Sequence, residues 1–130
     1  MRLTRVYHAR LQHTASHYAL TADQLLVLHI IVQSNSAISI TQIAQKSIVQ
    51  QPAVTKMVIS FETLGYVTVA RDEGDKRKTL VEITDAGRSL VGEIQNRLAR
   101  QILPFLMTLD ESALKTLENA SDQLVRKLTA

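Results

Sequence analysis

The densest chemistry in this chain sits in seven residues, Asp72-Glu73-Gly74-Asp75-Lys76-Arg77-Lys78, where six charges surround one glycine. Cations on a short loop can reach the phosphates of a polyanion, or enter a narrow groove where negative potential is concentrated. The neighbouring carboxylates oppose such a partner unless at least one braces the loop or points away. A solvated hairpin tip is the plain alternative, because a run of charges is usually just an exposed face. A second set of residues recurs at helical spacing: Gln51, Pro52, Thr55, Lys56, Ile59, Ser60 and Thr63, opposite an apolar stripe. Gln can pair bidentately with adenine, Lys can reach guanine O6 and N7, and Thr can touch a thymine methyl. On that chemistry Gln51, Thr55 and Lys56 are candidates for base edges, with Gln50 near the backbone. Polar residues merely exposed on an amphipathic helix are the alternative. Ile59 is out of place on this face, and it suits either a thymine methyl or a neighbouring element.

Other constellations are weaker. His13 and His17 are spaced i, i+4 and could offer two imidazoles to zinc from one helical face. His8 lies off that face, His29 sits in an apolar run elsewhere, and no carboxylate converges on the pair. Two ligands do not close a site, so no metal is assigned, and surface or interface histidines are expected. His29 is expected at a core edge with a hydrogen-bond partner. The phosphate-cradling G-x4-G-K-[ST], the G-x-S-x-G elbow and H-E-x-x-H do not occur. Carboxylate pairs fall at helix starts or in the charged loop, where capping or bracing explains them. Neither an enzyme nor a cofactor is expected.

Composition sets the frame. A chain of 130 residues with 45% hydrophobic and 21% charged residues is expected to form one domain with a real core. No cysteine is present, which excludes disulfides and thiolate metal sites and fits a reducing compartment. Residues 24–45 carry no formal charge, but the stretch is too short and too polar to cross a bilayer. A cytoplasmic protein with no membrane partner is expected. The net charge of +3 is mild, yet uneven: Arg2, Arg5 and Arg10 open the chain without an acid, whereas six bases balance six acids over 84–130. That asymmetry suits a molecule with one face toward a polyanion.

The elements that must position these groups follow from periodicity. A helix is expected over 2–18, with Leu3, Tyr7, Leu11 and Tyr18 near one stripe. Thr21 and Gln24 form a capping box for a second helix, with Leu25, Leu28, Ile31 and Val32 inward. A very short strand at Ile38-Ser39-Ile40 precedes a third helix capped by Thr41, and Ser39 and Thr41 are candidates to meet phosphate. The fourth helix carries Pro52 in its first turn and Val54, Met57, Val58, Phe61 and Leu64 on its apolar face, and it stops at Gly65. Strands are expected at about 66–71 and 79–83, with Gly74 supplying positive φ at the hairpin tip. Thr84 caps a long helix over 85–106 that Pro104 bends or ends, and Thr108-Leu109-Asp110-Glu111 boxes a last helix. The class is mainly α with a small β-hairpin: helices three and four form a helix-turn-helix, and the hairpin is its wing.

In this order and spacing the motifs resemble those of the MarR-type, or multiple-antibiotic-resistance regulator, family. Asp75-Lys76-Arg77 followed by Ile83-Thr84 is similar to the family's D-x-R-x5-L-T wing pattern. Ala53-Val54-Thr55-Lys56-Met57-Val58, Gly65-Tyr66-Val67 and Thr84-Asp85-Ala86-Gly87 resemble the flanking segments, and the likeness covers almost the whole chain. Ile48 stands where the family's turn often has Gly, Val69 and Lys56 stand where Arg is common, and Gln50 and Gln51 are poorer caps than usual. The resemblance implies one MarR-like domain over 1–130: a winged helix-turn-helix over about 21–83 between dimerisation helices over about 2–18 and 85–129. It implies that Arg77 reaches the minor groove or its rim while Asp75 braces it, with Lys76 and Lys78 beside them. A homodimer on a pseudo-palindromic operator, most often a repressor, and a small-molecule effector between dimer helices and reading head are further implications. The apolar residues Leu3, Tyr7, Leu11, Leu98, Ile102, Phe105, Leu117, Leu124 and Leu128 are the expected dimer interface, with an intramolecular core as the alternative. Two rival readings remain: a winged-helix protein-interaction module that does not bind DNA, and a metal-responsive regulator using His13 and His17.

Overall fold

The structure, a computed structural model, describes residues 2–129; the side chains of Leu3, Thr4, Tyr7, Leu128 and Thr129 lie outside that description. The expected interface roles of Leu3, Tyr7 and Leu128 therefore fall outside the described residues. The elements run α1 (Arg2–His17), α2 (Ala22–Gln33), β1 (Ile38–Ser39), α3 (Ile40–Lys46), α4 (Gln51–Thr63), β2 (Val67–Arg71), β3 (Thr79–Ile83), α5 (Asp85–Leu106) and α6 (Glu111–Thr129). The chain divides into two compact units, residues 1–96 and 97–130.

The first unit is closed around its own core. Val27, Leu28, Ile31, Ile43, Val54, Val58, Phe61, Val67, Val81, Val91 and Ile94 are all buried. Each such side chain contributes about 1.5–3 kcal/mol by leaving water. On α4 the 3.6-residue stripe buries Val54, Val58 and Phe61, and Met57 is half-buried. Leu64 departs from the stripe and is exposed, because it is the C-cap where the helix closes. The closure is a Schellman motif: the Gly65 amide donates to the Glu62 carbonyl at 3.0 Å and the Tyr66 amide to the Phe61 carbonyl at 2.9 Å. Gly65 takes φ +80°, where a side chain would be strained. Among the described residues of α1 the inward positions are Thr14 and Ala15 with the half-buried Leu11, and the half-buried Tyr18 follows the helix.

The sheet has three strands in the order β1-β3-β2, all antiparallel. Ile38 pairs with Val81, and Val81 pairs in turn with Val69, so one register carries all three strands. Ile38, Val67 and Val81 point inward while Thr68 and Glu82 face solvent, as period-2 alternation requires.

Three sequence expectations are corrected. Thr41 does not cap α3; it lies in the first turn, and Ser39 is the N-cap. Ser39 Oγ accepts from the Gln42 amide at 3.1 Å, and the Ser39 amide donates to Gln42 Oε1 at 3.1 Å. That reciprocal box needs a residue with extended backbone, which the end of β1 supplies. Gly74 does not take positive φ. The tip turns instead on Asp72, whose Oδ1 accepts from the Gly74 amide at 3.0 Å. Thr108 does not cap α6: its hydroxyl donates back to the Phe105 carbonyl at 2.6 Å, and Asp110 Oδ1 accepts from the Ala113 amide at 2.7 Å.

The second unit comprises residues 97–106 of α5, a short link and α6. Pro104 lies inside α5, and the helix ends soon afterwards at Leu106. No described residue of α6 is buried. Leu103, Phe105, Met107, Leu114, Leu117, Leu124 and Val125 are all exposed. Among the described residues no single helix is long and apolar enough to cross a membrane.

Candidate nucleic-acid interface

The helix-turn-helix is built by capping and burial. The Ser47 amide donates to the Ile43 carbonyl at 3.0 Å and closes α3; Ser47 Oγ then accepts from the Val49 amide at 3.1 Å. Val49 is buried under the turn, which throws the adjacent Ile48 outward to 88% exposure. Thr41, Gln45, Ile48, Gln50 and Gln51 line one open concavity of about 500 Å³ beside the start of α4. Ser39 leaves the set of phosphate candidates, because it is buried and its hydroxyl oxygen serves the α3 cap. Thr41 is exposed at the edge of this concavity.

Gln50 is the N-cap of α4 and makes no side-chain capping bond. Gln50 is exposed to solvent. Gln51, Pro52, Thr55, Lys56, Ile59 and Ser60 are exposed along one side of α4. The Thr55 hydroxyl donates to the Gln51 carbonyl at 3.1 Å. Thr55 is exposed with its hydroxyl proton turned back to the helix. Ile59 is not covered by any neighbouring element; it is 60% exposed and borders a cleft of about 320 Å³ between α4 and the wing strands.

The wing tip has a defined shape despite its exposure. Asp75 Oδ1 accepts from the Arg77 amide at 3.1 Å and pairs with Arg77 Nε at 3.3 Å. Arg77 is 93% exposed while Asp75 is only 35% exposed. One carboxylate is drawn in and neutralised while the guanidinium stands out on top of it. In high dielectric such a pair adds little stability, so its consequence is direction. Two more bonds shape the loop: the Lys78 amide donates to the Asp75 carbonyl at 2.9 Å, and Arg71 Nη1 donates to the Lys76 carbonyl at 2.8 Å. Lys76 and Lys78 are exposed.

Arg71 was not among the residues picked out from sequence. It ends β2 directly opposite Thr79, lines the α4–wing cleft and props the tip. Its signal was position, the last residue of the strand before the acidic run. Gln42 was missed too, although Ser39-Ile40-Thr41-Gln42 has the S-x-x-Q capping spacing.

His29 is half-buried, and its Nδ1 lies 2.9 Å from Gln95 Nε2, so it has the partner expected of a core-edge histidine. His13 and His17 are exposed, and among the described residues no three His, Asp or Glu side chains gather as a metal site. Of the expected interface residues, Leu11 and Leu98 are half-buried, while Ile102, Phe105, Leu117 and Leu124 are exposed.

Comparison with known proteins decides the family. The model of the transcriptional regulator SarA/Rot family matches residues 10–94, from within α1 to the last residue but two of the first unit. The chain belongs to the SarA/Rot family of transcriptional regulators. Its fold is MarR-type: wild-type MarR from E. coli superposes with a TM-score of 0.79 at 22% identity, over 95% of this chain and 91% of that one. BpsR from Bordetella bronchiseptica, whose DNA binding is regulated by 6-hydroxynicotinic acid, is 25% identical with a TM-score of 0.74, over 98% of this chain and 88% of that one. The HTH-type transcriptional regulator TtmR of Methylorubrum extorquens (strain PA1) is 30% identical over 79 residues, 61% of this chain. The match takes in only 40% of TtmR, well under half of that regulator's length. The family and TtmR are transcriptional regulators.

Proposed function

We propose that this SarA/Rot-family chain is a dimeric, sequence-specific DNA-binding repressor that occupies a pseudo-palindromic operator. The observation that carries the reading is the wing tip: Asp75 holds Arg77 outward on a shaped loop, beside a helix whose exposed face is polar and almost free of acids. In this reading α4 enters the major groove with Gln51, Thr55 and Lys56 at base edges, and Gln50 and Thr41 lie near the phosphates. Arg77, flanked by Lys76 and Lys78, reaches the adjacent minor groove or its rim. The exposed apolar residues Ile102, Phe105, Leu117 and Leu124 meet their counterparts on a second copy, where burying them removes the penalty of leaving them in water. Two copies then set their recognition helices about 34–36 Å apart, one turn of duplex. A small aromatic acid, of the class that regulates BpsR, is the kind of effector that would release the operator. Its coupling requires different affinities for the bound and released conformations.

Selection of bound sites from random duplexes, followed by fluorescence anisotropy, tests the reading. A two-fold motif is expected, with affinity falling steeply as salt rises because each phosphate contact releases counterions. Absence of any enriched motif at low ionic strength, or a salt-independent signal, would favour a protein-interaction module instead.

A further inference from the structure

The end of α4 and the start of α5 are joined through one side chain. The Thr84 hydroxyl donates to the Gly65 carbonyl at 2.7 Å, and its oxygen accepts from the Gly87 amide at 3.1 Å. The Thr84 amide donates to the Tyr66 carbonyl at 3.0 Å. Gly65 and Tyr66 are the two residues of the Schellman stop on α4, and Gly87 lies in the first turn of α5. An ordinary N-cap would need only the bond from Gly87. Here the same hydroxyl is latched onto the stop of another helix, nineteen residues earlier in the chain. The joint is also sterically tight. A Cβ on Gly87 would run into the Tyr66 carbonyl oxygen and come within 2.7 Å of Ile83 Cδ1, so only glycine lets the two backbones approach this closely.

We propose that Thr84 is a positioning residue for operator binding. Its hydroxyl fixes the direction of α4 against the first turn of α5, and so sets the half-site spacing that a dimer accepts. The proposal rests on the dimeric DNA-binding reading above. Two hydrogen bonds that share one oxygen cannot both survive a rotation of α4 against α5, because their acceptor and donor sit on different elements. Without the hydroxyl, the Tyr66 contact remains as a pivot and the latch is gone. Base readout is untouched, since Gln51, Thr55 and Lys56 keep their places on α4.

The test uses the full chain and the operator recovered by selection, with duplexes in which the half-site separation is lengthened or shortened by one base pair. Wild type loses about tenfold in affinity off its optimum, because the duplex must be twisted back into register. Thr84→Val, which keeps the shape and removes the hydroxyl, shows a loss of under about threefold off the optimum, with binding at the optimum weakened by about threefold to tenfold. Thr84→Ala is measured in parallel, so that an intolerance of valine does not decide the outcome. Thr84→Ser restores the sharp profile, which a merely structural methyl contact would not do. A profile as sharp in Val and Ala as in wild type overturns the proposal, and so does a flattened profile in Ser. Wild type that binds no duplex, or binds with no preferred spacing, instead sinks the dimeric reading and the joint with it.

Discussion

Residues 1–96 and 97–130 handle their apolar side chains in opposite ways. The first unit buries Leu28, Ile31, Ile43, Phe61, Val81 and Ile94 completely, and α1 packs on α2, α2 on α3 and α3 on α4 within it. The second exposes Phe105, Met107, Leu117, Leu124 and Val125, and α6 has no buried described residue. A surface of that kind on an isolated chain is unfavourable in proportion to its area, at roughly 25 cal/mol per Å². Scattered exposed apolar residues need no explanation, but a repeating set along two successive helices does. In the proposed dimer, folding stability and assembly are separable: the first unit carries its own core, and the exposed apolar faces of the C-terminal helices are the surfaces proposed to meet a second copy.

That contrast can be broken in order of expected effect. Phe61→Ala, in the centre of the first unit's core, should destabilise by about 3–5 kcal/mol, read as a large drop in melting temperature. Loss of less than 1 kcal/mol would show that the head is not the stable unit. Phe105→Asp combined with Leu117→Asp should leave the melt of the head in place and shift sedimentation from dimer to monomer, raising the dissociation constant by about a hundredfold or more. An unchanged dimer would put the interface elsewhere. Lys76→Ala with Arg77→Ala should weaken binding on all sequences and reduce the slope of log affinity against log salt by about 1–2, without touching stability or assembly. Lys56→Ala should leave that slope almost unchanged and relax the preference at one base position, seen on repeating the site selection. The smallest effect belongs to the cap of α4. Gln50→Ser supplies the missing hydrogen bond to an orphan amide and should stabilise by about 0.5–1 kcal/mol in chemical denaturation.

Much of the head is legible in the sequence. The α4 stripe, the Gly65 stop, the Thr21–Gln24 box and the hairpin all follow from local rules, because each depends on residues within one or two turns of one another. Errors arose where two local signals compete. Ser39 and Thr41 are both plausible caps, and Ser39 wins because β1 holds it extended by pairing with β3. Thr108 and Asp110 likewise both precede α6, and the carboxylate is the stronger acceptor at a helix N-terminus. At the wing, charge composition alone left a solvated tip as an equal alternative. The ion pair that turns Asp75 in and Arg77 out, and the Arg71 prop from the end of β2, depend on the bend of the hairpin itself.

By itself, the sequence determined the order of elements, the apolar faces that drive burial, and the types of donor available to a nucleic acid. Spacing is enough for these because helices and strands repeat their geometry every few residues. Only the tertiary structure decided which hydroxyls and cations remain free: Ser39 is consumed by a cap, Thr84 by a joint between helices, and Arg71 by the wing tip. The Thr84 bond joins residues nineteen apart in the chain, while Ser39 and Arg71 bond nearby residues but are aimed by the pairing of β1 with β3 and by the bend of the hairpin; a hydrogen bond is settled by where its two ends meet in space.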